Sequence, residues 1–279
     1  MVATHFRQIH LDFHTSPLIP DVGRDFNARE FAKTLHDAHV NWVTLFAKCH
    51  HGMSYYPTKV GKVHPSLKFD LLGAQIEACK RHGIFTPVYI SVRVDQHMAE
   101  KHQEWVGRLR DGTLWGPSAL QSHWYNLCTN HNDYIDYLEA QTVEVLENYD
   151  ADGFFFDMCY PPPGAGCYCA ECIRLMRDKG IDIADDEAHR KMEYELTRAY
   201  TQRLTKVIRQ HKKNATIYFN GRVSLDIRRE MDVFTHLEAE TLPIWGYFLF
   251  PYRVRMIRQM APATQGMTAR FHLSWADFG

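Results

Sequence analysis

The stretch that decides the fold of this 279-residue chain is residues 133–158, DYIDYLEAQTVEVLENYDADGFFFDM. Its first part, Asp133–Tyr149, places apolar side chains such as Leu138 and Leu146 at helical spacing. Its second part, Gly153–Met158, carries three consecutive Phe residues, which is typical of a parallel strand buried on both faces. A helix that leads directly into such a strand predicts an α/β architecture.

The same alternation of helix and strand continues in both directions along the chain. Further strands are predicted at Gln8–Phe13, Trp42–Ala47, Ile84–Val94, Thr216–Asn220, Val233–Glu240 and Met267–Trp275. Further helices are predicted at Asn27–Ala38, Asp70–His82 and Glu187–Lys212. Because no Gly-rich dinucleotide-binding motif follows the first strand, we predict a (β/α)8 TIM barrel instead of a doubly wound sheet.

The strand count is one short of a complete barrel. Seven strands are predicted, and an eighth βα unit needs about 25 to 30 residues beyond the seventh strand. The sequence shows no repeat, low-complexity segment or linker that would mark a second domain. We therefore expect residues 1–279 to form one catalytic barrel domain that lacks the last βα unit and is truncated at its C-terminus.

Composition excludes several classes of function. With 32 Lys and Arg against 33 Asp and Glu, the chain lacks the positive excess of a nucleic-acid-binding protein. Its 45% hydrophobic content excludes global disorder. No apolar run reaches the roughly 20 residues of a membrane span, and residues 1–14 do not resemble a signal peptide. The sequence predicts a soluble cytoplasmic enzyme with neither a nucleic acid nor a membrane as its partner.

Functional side chains of such barrels lie at the C-terminal ends of the strands, and Asp157 occupies such a position. A carboxylate that closes a strand of three Phe residues is predicted to face the barrel mouth as a nucleophile or general base. The alternatives are a helix N-cap and a loop ion pair. The Pro-rich residues after Asp157 cannot start a helix at once, which disfavours the N-cap.

Glu238 and Glu240 alternate on one face of the sixth predicted strand. Carboxylates that point into a barrel are costly unless they are used or paired. Glycoside hydrolysis needs two carboxylates, and Asp157 with one of these Glu residues supplies that pair. The alternative is that at least one of the two is a structural Glu paired with an Arg.

Adjacent histidines, His50 and His51, follow the second predicted strand. Neutral imidazoles at a barrel mouth can bind sugar hydroxyls or a metal, although a lone His is most often structural. Metal-dependent hydrolase barrels carry His-x-His after their first strand. Here His10 and His14 have a different spacing, which disfavours that chemistry. Aromatic residues such as Trp245 offer surfaces on which a sugar ring can stack.

Three cysteines lie close together in the motif Cys167-x-Cys169-x-x-Cys172. With Cys128 as the fourth ligand, they predict a closed tetrahedral zinc site, for which Cys159 is a less favoured fourth ligand. Disulfides are the alternative, but seven cysteines is an odd number and nothing in the sequence indicates secretion. Four thiolates leave no open position, so we predict a structural Zn²⁺ that braces two loops and no catalytic cofactor.

These residues carry a resemblance to a known family. Residues 47–52, AKCHHG, are similar to the Ala-Lys-His-His-Asp-Gly stretch of family 29 α-L-fucosidases, whose paired histidines contact fucose. Phe156–Asp157 resembles their nucleophile strand, Asn220–Arg222 resembles their Asn-Asp-Arg, and Trp245–Tyr247 matches a Trp-Gly-Tyr that they also carry. The order of these motifs along the chain agrees with that family.

Three positions depart from that family, and the cysteine motif points to another one. Cys49 replaces a His, Gly52 an Asp and Met158 a Gly. The cysteine motif, preceded by Leu127–Thr129, resembles the zinc site of family 42 β-galactosidases, which carry an Asn-Glu acid/base where this chain has Asp157–Met158. The combination resembles family 151 α-L-fucosidases, longer proteins with a trimerisation domain, and so implies a homo-oligomer.

The resemblance implies a retaining exo-α-L-fucosidase that acts on an oligosaccharide or a small glycoside. Asp157 is then the nucleophile, and Glu238 is the acid/base because Thr235–Glu238 resembles the family's Thr-Pro-Glu, with Glu240 as its substitute. The residues expected to bind the sugar are His14, His50, His51, Arg222 and Trp245. The alternatives are another exo-glycosidase, such as a β-galactosidase, a metal-dependent hydrolase, or a non-catalytic sugar-binding barrel.

Overall fold

The computed structural model describes residues 7–117, 124–222, 229–241, 246, 248–260 and 264–267; for Ala239 and residues 264–267 it describes the backbone alone. The strands are β1 (Gln8–His10), β2 (Trp42–Lys48), β3 (Met53–Ser54), β4 (Lys62–Val63), β5 (Pro87–Ser91), β6 (Gly153–Asp157), β7 (Thr216–Phe219), β8 (Leu237–Glu240) and β9 (Thr264–Met267). The helices are α1 (Ala28–Asp37), α2 (Leu71–Arg81), α3 (Gln96–Lys101), α4 (Asn132–Asn148), α5 (Ala170–Asp178), α6 (Asp186–His211) and α7 (Leu249–Arg258), with a 3₁₀ turn at Gln103–Trp105.

Side-chain caps fix where the crossover helices begin. Asn27 accepts a hydrogen bond from the backbone N–H of Glu30 at the start of α1, and Asp70 does the same for Gly73 at the start of α2. Such caps satisfy backbone donors that have no partner within the helix. Gly83, at φ +66°, follows the end of α2, as a helix C-terminal glycine does.

The main sheet is a run of parallel strands in chain order. β1 pairs with β2, β2 with β5, β5 with β6 and β6 with β7, every pair parallel. The short β3 adds an antiparallel pair at the end of β2, and β4 pairs with β3. Crossover helices between parallel neighbours give the βαβ pattern that the sequence predicts.

The remaining two strands form a separate parallel pair. β8 pairs with β9 and lies beside β7, because Thr235 N donates to Ile217 O over 3.0 Å. β9 in turn lies close to β1. Within the described ranges, no ladder of paired strands joins this sheet to the main one, so the hydrogen-bonded barrel is not closed.

Aromatic side chains fill the inside of the curved sheet. Phe46, Tyr89 and Phe155 come from three neighbouring strands, with ring centroids 3.9 Å apart for Phe46–Tyr89 and 5.7 Å apart for Tyr89–Phe155. Tyr218 of β7 continues the layer, 5.2 Å from Phe155. Since side chains alternate along a strand, the residues two positions after Tyr89, Phe155 and Tyr218 face the same interior, one step nearer the mouth.

These findings confirm the predicted fold class, a partial (β/α) barrel. Six of the predicted strands contain or overlap an observed one in the expected place, and the seventh overlaps β9 only at Met267, because residues 268–275 lie outside the described residues. The elements β3, β4, α3, α5 and α7 were not predicted, and of these β3, β4 and α3 are too short to show a periodic pattern. No helix in the described part of the chain has the length and apolar character needed to cross a membrane.

Candidate active site and cysteine cluster

Asp157 lies two residues after Phe155, on the interior face of β6, and is 2% exposed. Its Oδ1 accepts hydrogen bonds from Asn220 Nδ2 (2.9 Å) and from the Met158 backbone N–H (2.7 Å). Its Oδ2 accepts one from the Tyr89 hydroxyl (2.5 Å). The carboxylate therefore faces the barrel interior, where three donors fix its orientation.

Glu240 is joined to Asp157 through one amide group. Asn220 Nδ2, which donates to Asp157, also lies 2.7 Å from Glu240 Oε2. Because both contacts share one nitrogen, the two carboxylate oxygens can be no farther apart than the two distances together. Their nearest oxygens are therefore close to each other, and the two carboxyl groups form a pair at the barrel mouth.

Glu238 lies deeper in the barrel and makes different contacts. Its carboxylate is 1% exposed and accepts a hydrogen bond from Gln8 Nε2 (2.8 Å), and its other oxygen lies 2.8 Å from His236 Nε2. The sequence places Glu238 and Glu240 on one face of a strand, but only Glu240 lies at the C-terminal end of β8, where barrel active sites form. The described contacts of Glu238 are with Gln8 and His236 and not with an Arg, whereas Arg253 Nη1 donates a hydrogen bond to the backbone carbonyl of Glu240.

Two of the predicted sugar-binding histidines stack on each other beside Asp157. The rings of His14 and His50 lie 3.8 Å apart, and the His50 backbone N–H donates to His14 Nδ1. His50 Nδ1 lies 2.7 Å from Ser91 Oγ, which leaves Nε2 directed toward Asp157 Oδ2 at 3.8 Å. The two imidazoles thus form one wall next to the carboxylate.

His51 stands on the same side, with Trp124 as its neighbour. The centroid of the Trp124 ring lies 5.5 Å from that of His51 and 5.0 Å from that of His50. The pKa of His51 is lowered to about 4, chiefly by burial and also by the imidazoles of His14 and His64. His51 is therefore a neutral imidazole near pH 7, able to donate and to accept a hydrogen bond.

The other two predicted sugar-binding residues are not part of this group as described. Arg222 is 8% exposed and forms a two-point ion pair with the buried carboxylate of Glu230. Its guanidinium thus links the end of β7 to Glu230. Trp245 lies outside the described residues, as does Tyr247 of the same motif.

Met158, directly after Asp157, adopts a left-handed backbone conformation with φ +61°. Most non-glycine residues avoid this region because the Cβ approaches the backbone oxygen. The resemblance places Gly, which adopts this conformation readily, at this position in family 29. This conformation allows the Met158 N–H to donate to the side chain of Asp157.

The sequence did not single out Tyr89 as part of the site, and it offered Trp124 only as one of several aromatic surfaces for a sugar ring. Tyr89 pairs in register with Phe155, two residues before Asp157, so its side chain shares the barrel interior with that residue. A strand alignment would have placed it there, because partners in register share a face of the sheet. Trp124 follows a long connection without a periodic pattern, and no sequence signal could have placed it.

The four predicted metal-binding cysteines, Cys128, Cys167, Cys169 and Cys172, come together in one buried group, which we call the cysteine cluster. Their sulfur atoms all lie within 4.8 Å of one another. Zn–S bonds of about 2.3 Å in a tetrahedron require sulfurs slightly less than 4 Å apart, so a small contraction accommodates one ion. Among the described residues, this is the only group of metal-binding side chains with such spacing.

Hydrogen-bond donors surround the cysteine cluster. Asn130 Nδ2 lies 3.1 Å from the Cys172 sulfur, and the backbone N–H of Arg108 donates to the Cys167 sulfur over 3.5 Å. The pKa of the Cys169 thiol is lowered because the other three thiols, Cys128 first, donate hydrogen bonds to it. Donors aimed at sulfur are what a thiolate needs, so the group fits a metal ion held by four thiolates.

The remaining cysteines are separate from this cluster. Cys49, Cys79 and Cys159 are buried free thiols, and all seven cysteines, each within a described range, are outside any disulfide. Burial raises the pKa of Cys159 to about 12. The sulfur of Cys159 lies near the backbone of Asp157 and not in the cluster. The fourth member of the cluster is Cys128, as the sequence predicted.

Comparison with known proteins agrees with the resemblance seen in the sequence. Residues 27–158 match a family model described as hypothetical glycosyl hydrolase 6. The fold matches α-L-fucosidase isoenzyme 2 from Paenibacillus thiaminolyticus with a TM-score of 0.90 and 37% sequence identity over 98% of this chain. The chain spans 42% of the length of that fucosidase. The expected relationship to α-L-fucosidase-like glycoside hydrolases is thus confirmed.

More distant matches share the fold alone. A β-galactosidase from Halorubrum lacusprofundi gives a TM-score of 0.60 at 14% identity, over 85% of this chain and 40% of the other. The glycoside hydrolase domain of PgaB (BpsB) from Bordetella bronchiseptica gives 0.58 at 14% identity, over 90% of this chain and 72% of the other. No curated protein matches the chain in sequence.

Proposed function

We propose that this barrel is the catalytic domain of a retaining exo-glycoside hydrolase of the α-L-fucosidase type. The observation that carries the proposal is the joint contact of Asp157 and Glu240 with the side-chain nitrogen of Asn220. It brings two carboxylates together at the barrel mouth, and a double-displacement mechanism uses such a pair. The fucosidase from Paenibacillus thiaminolyticus, similar over nearly all of this chain, supports an α-L-fucoside as the substrate.

In the first step, Asp157 attacks the anomeric carbon of the sugar, and the bond from that carbon to the leaving oxygen breaks. Glu240, protonated at this stage, gives its proton to the departing oxygen. Asp157 then carries the sugar as an ester. In the second step, Glu240 takes a proton from water, and the water oxygen displaces Asp157 from the anomeric carbon, which restores the original configuration.

Glu240 fits the acid/base role better than Glu238, which the sequence favoured. Glu240 lies at the end of β8 beside Asn220 and is partly exposed. Glu238 is 1% exposed and held by Gln8 and His236 below the mouth, where a leaving group cannot reach it. We therefore assign Glu238 a structural role in orienting β8 against β1.

Tyr89 and Asn220 orient the nucleophile. Both donate hydrogen bonds to the carboxylate of Asp157, one on each oxygen, and so direct its free lone pairs toward the mouth. Donors of this kind stabilise the ionised form that attacks, and they reduce the freedom that would have to be lost during the reaction.

The sugar lies against the wall of His14, His50 and His51. The imidazole nitrogens offer hydrogen-bonding groups for ring hydroxyls, and Trp124 offers an apolar surface beside them. Arg222 contributes through its ion pair with Glu230, which holds the arginine in place after β7. Trp245 remains a predicted contact of the sugar. A mouth of this composition suits a single neutral sugar unit, which agrees with exo-action.

The cysteine cluster holds a structural zinc ion. Four thiolates fit Zn²⁺, and four protein ligands leave no position for a substrate or water. The ion ties the segment before α4 to the loop between β6 and α5, and both segments border the mouth. No catalytic cofactor takes part in the proposed reaction. Assembly into a homo-oligomer and a cytoplasmic location remain predictions from the sequence.

The nucleophile can be tested by trapping. A 2-fluorinated fucosyl fluoride should inactivate the enzyme with time, and peptide mapping should locate the sugar on Asp157. Hydrolysis of a panel of nitrophenyl glycosides identifies the sugar, with α-L-fucoside expected to react fastest. A label on another residue contradicts the assignment of Asp157, and a faster β-galactoside contradicts the fucosidase assignment while leaving the carboxylate pair in place.

A further inference from the structure

Arg93 is a buried charge without a carboxylate partner. The side chain is 0% exposed and follows the end of β5. Its Nε donates to the backbone carbonyl of Tyr160 (2.7 Å) and its Nη1 to that of Leu127 (3.4 Å). Its Nη2 makes no hydrogen bond, and among the described residues no carboxylate forms an ion pair with the guanidinium. Burying a charge in this way is costly unless a compensating charge lies nearby.

The nearest segment to Arg93 carries a ligand of the cysteine cluster. The backbone carbonyl of Arg93 accepts from the Leu127 N–H over 2.6 Å, so Arg93 and Leu127 are bound to each other twice. Leu127 directly precedes Cys128, whose sulfur belongs to the cluster. Arg93 is thereby fixed next to the cluster by the backbone and by its own side chain.

Two sulfurs of that cluster are among the acidic groups that lie around the Arg93 guanidinium. Burial lowers the pKa of the guanidinium, but the charges that these acidic groups carry when ionised outweigh this effect, and the net shift is upward. Those groups are Tyr200, Glu193, Cys128 and Cys167. Two of the four are thiols of the cluster, and Glu193 accepts a hydrogen bond from the Cys167 backbone N–H over 2.9 Å.

We propose that the buried guanidinium of Arg93 is the counter-ion of the metal-loaded cysteine cluster. The proposal rests on the zinc site proposed above. Four thiolates around a divalent cation leave an excess of negative charge that a buried site must balance. Arg93 supplies the balancing charge, and through Tyr160 it fixes the loop that follows Asp157 to the same point. It is a positioning residue for that loop and makes no contact with the reacting atoms.

The test compares the zinc affinity of three variants of the full chain. Arg93→Met removes the charge, Arg93→Lys keeps it, and Arg108→Met removes a neighbouring arginine whose exposed side chain donates a hydrogen bond to Gly112 O. Arg108 is a matched control because its backbone N–H, which donates to Cys167, is retained. Competition with a chromophoric zinc chelator measures the affinity, and equilibrium unfolding measures the stability of each metal-free protein.

We expect Arg93→Met to weaken zinc binding roughly tenfold or more, which is typical for loss of a residue behind a metal ligand. Arg93→Lys should lose much less, and Arg108→Met should bind as the wild type does. If Arg93→Met does not fold, Arg93→Gln replaces it, because an amide keeps a donor for a carbonyl without the charge. A neutral variant that binds zinc as tightly as the wild type overturns the proposal.

A second comparison separates charge from packing. Cys167→His replaces one thiolate by a neutral ligand and reduces the negative charge of the loaded site. In that background, removal of the Arg93 charge should cost clearly less zinc affinity than in the wild type. An equal loss in both backgrounds overturns the role of Arg93 as a counter-ion. Wild-type protein that binds no zinc overturns the zinc site together with this proposal, whereas tight binding by every variant overturns this proposal alone.

Discussion

Asp157 and Glu240 accept hydrogen bonds from the same atom, the side-chain nitrogen of Asn220, over 2.9 and 2.7 Å. The two carboxylates belong to strands that are not neighbours, β6 and β8, and β7 with Asn220 directly after it lies between them. An amide at this point separates two anions and fixes their distance. This relationship generates the following expectations about activity.

Replacement of Glu240 should affect the leaving group. Glu240→Gln cannot give a proton, so kcat on a fucoside with a poor leaving group should fall roughly 10²- to 10⁴-fold. With a dinitrophenyl fucoside, which needs little protonation, kcat for the first step should fall far less. Steady-state kinetics on both substrates measures the difference.

Glu238→Gln is the matched control, since it is the same substitution two residues earlier on the strand. It should lower the melting temperature by disturbing the contacts with Gln8 and His236. Any change in kcat should be the same for good and poor leaving groups. The reverse result, a leaving-group effect for Glu238→Gln alone, would return the acid/base role to Glu238.

Removal of one hydroxyl should weaken the nucleophile. Tyr89→Phe deletes the donor to Asp157 Oδ2 and leaves the ring packed between Phe46 and Phe155. A hydrogen bond to a charged group is worth about 1.5 to 3 kcal/mol, so kcat/KM should fall about 10- to 100-fold. Tyr55→Phe loses a hydroxyl that donates to Phe13 O and should keep kcat/KM near the wild-type value. Equal activity of Tyr89→Phe and wild type would exclude this positioning role.

The backbone after Asp157 should tolerate glycine and reject a β-branched residue. Met158→Gly removes the unfavourable left-handed conformation of a side-chain-bearing residue, so its stability should stay within about 1 kcal/mol of the wild type. Met158→Val should be destabilised by more than that, because a β-branched residue at positive φ is strained. Urea unfolding measures the stability of both variants, and a Met158→Val variant more stable than the wild type would contradict the strain argument.

Stability should decrease as the pH falls, in part because of His51. Its pKa is about 4 in the folded chain and 6.5 for an ordinary histidine, so the unfolded chain binds more protons between these values. The contribution of neutral His51 to the free energy of unfolding is complete above pH 6.5 and is lost as the pH falls toward about 4. His51→Gln should therefore show a shallower loss of unfolding free energy across this range. Parallel slopes for both proteins would show that His51 does not cause the decrease.

Removal of zinc should destabilise the loops at the mouth. The purified protein should contain one zinc ion per chain, and Cys172→Ala should lose it and melt at a lower temperature, because three buried thiols are then left without their metal. Cys79→Ala, a buried free thiol on α2, should keep the full zinc content. Elemental analysis and thermal melts measure both properties, and an unchanged zinc content in Cys172→Ala would exclude the cysteine cluster as the site.

Much of the architecture can be predicted from local patterns. The three Phe residues of β6 and the helical spacing in α4 each determine their own element, because burial on two faces or on one face leaves a period in the sequence. The spacing Cys167-x-Cys169-x-x-Cys172 likewise brings three ligands together where a loop leads into the first turn of α5. The carboxyl ends of the strands then locate Asp157 and Glu240 at one rim.

The sequence by itself thus determined the parallel strands, the cysteine cluster and the carboxylates at the mouth. The tertiary structure decided which carboxylate faces Asp157, that Tyr89 and Asn220 hold it, and that Arg222 pairs with Glu230. The physical reason is the range of the interactions. Periodicity and motif spacing are set by neighbours along the chain, whereas the depth of Glu238 and Glu240 in the barrel depends on how residues far apart in sequence pack against β8.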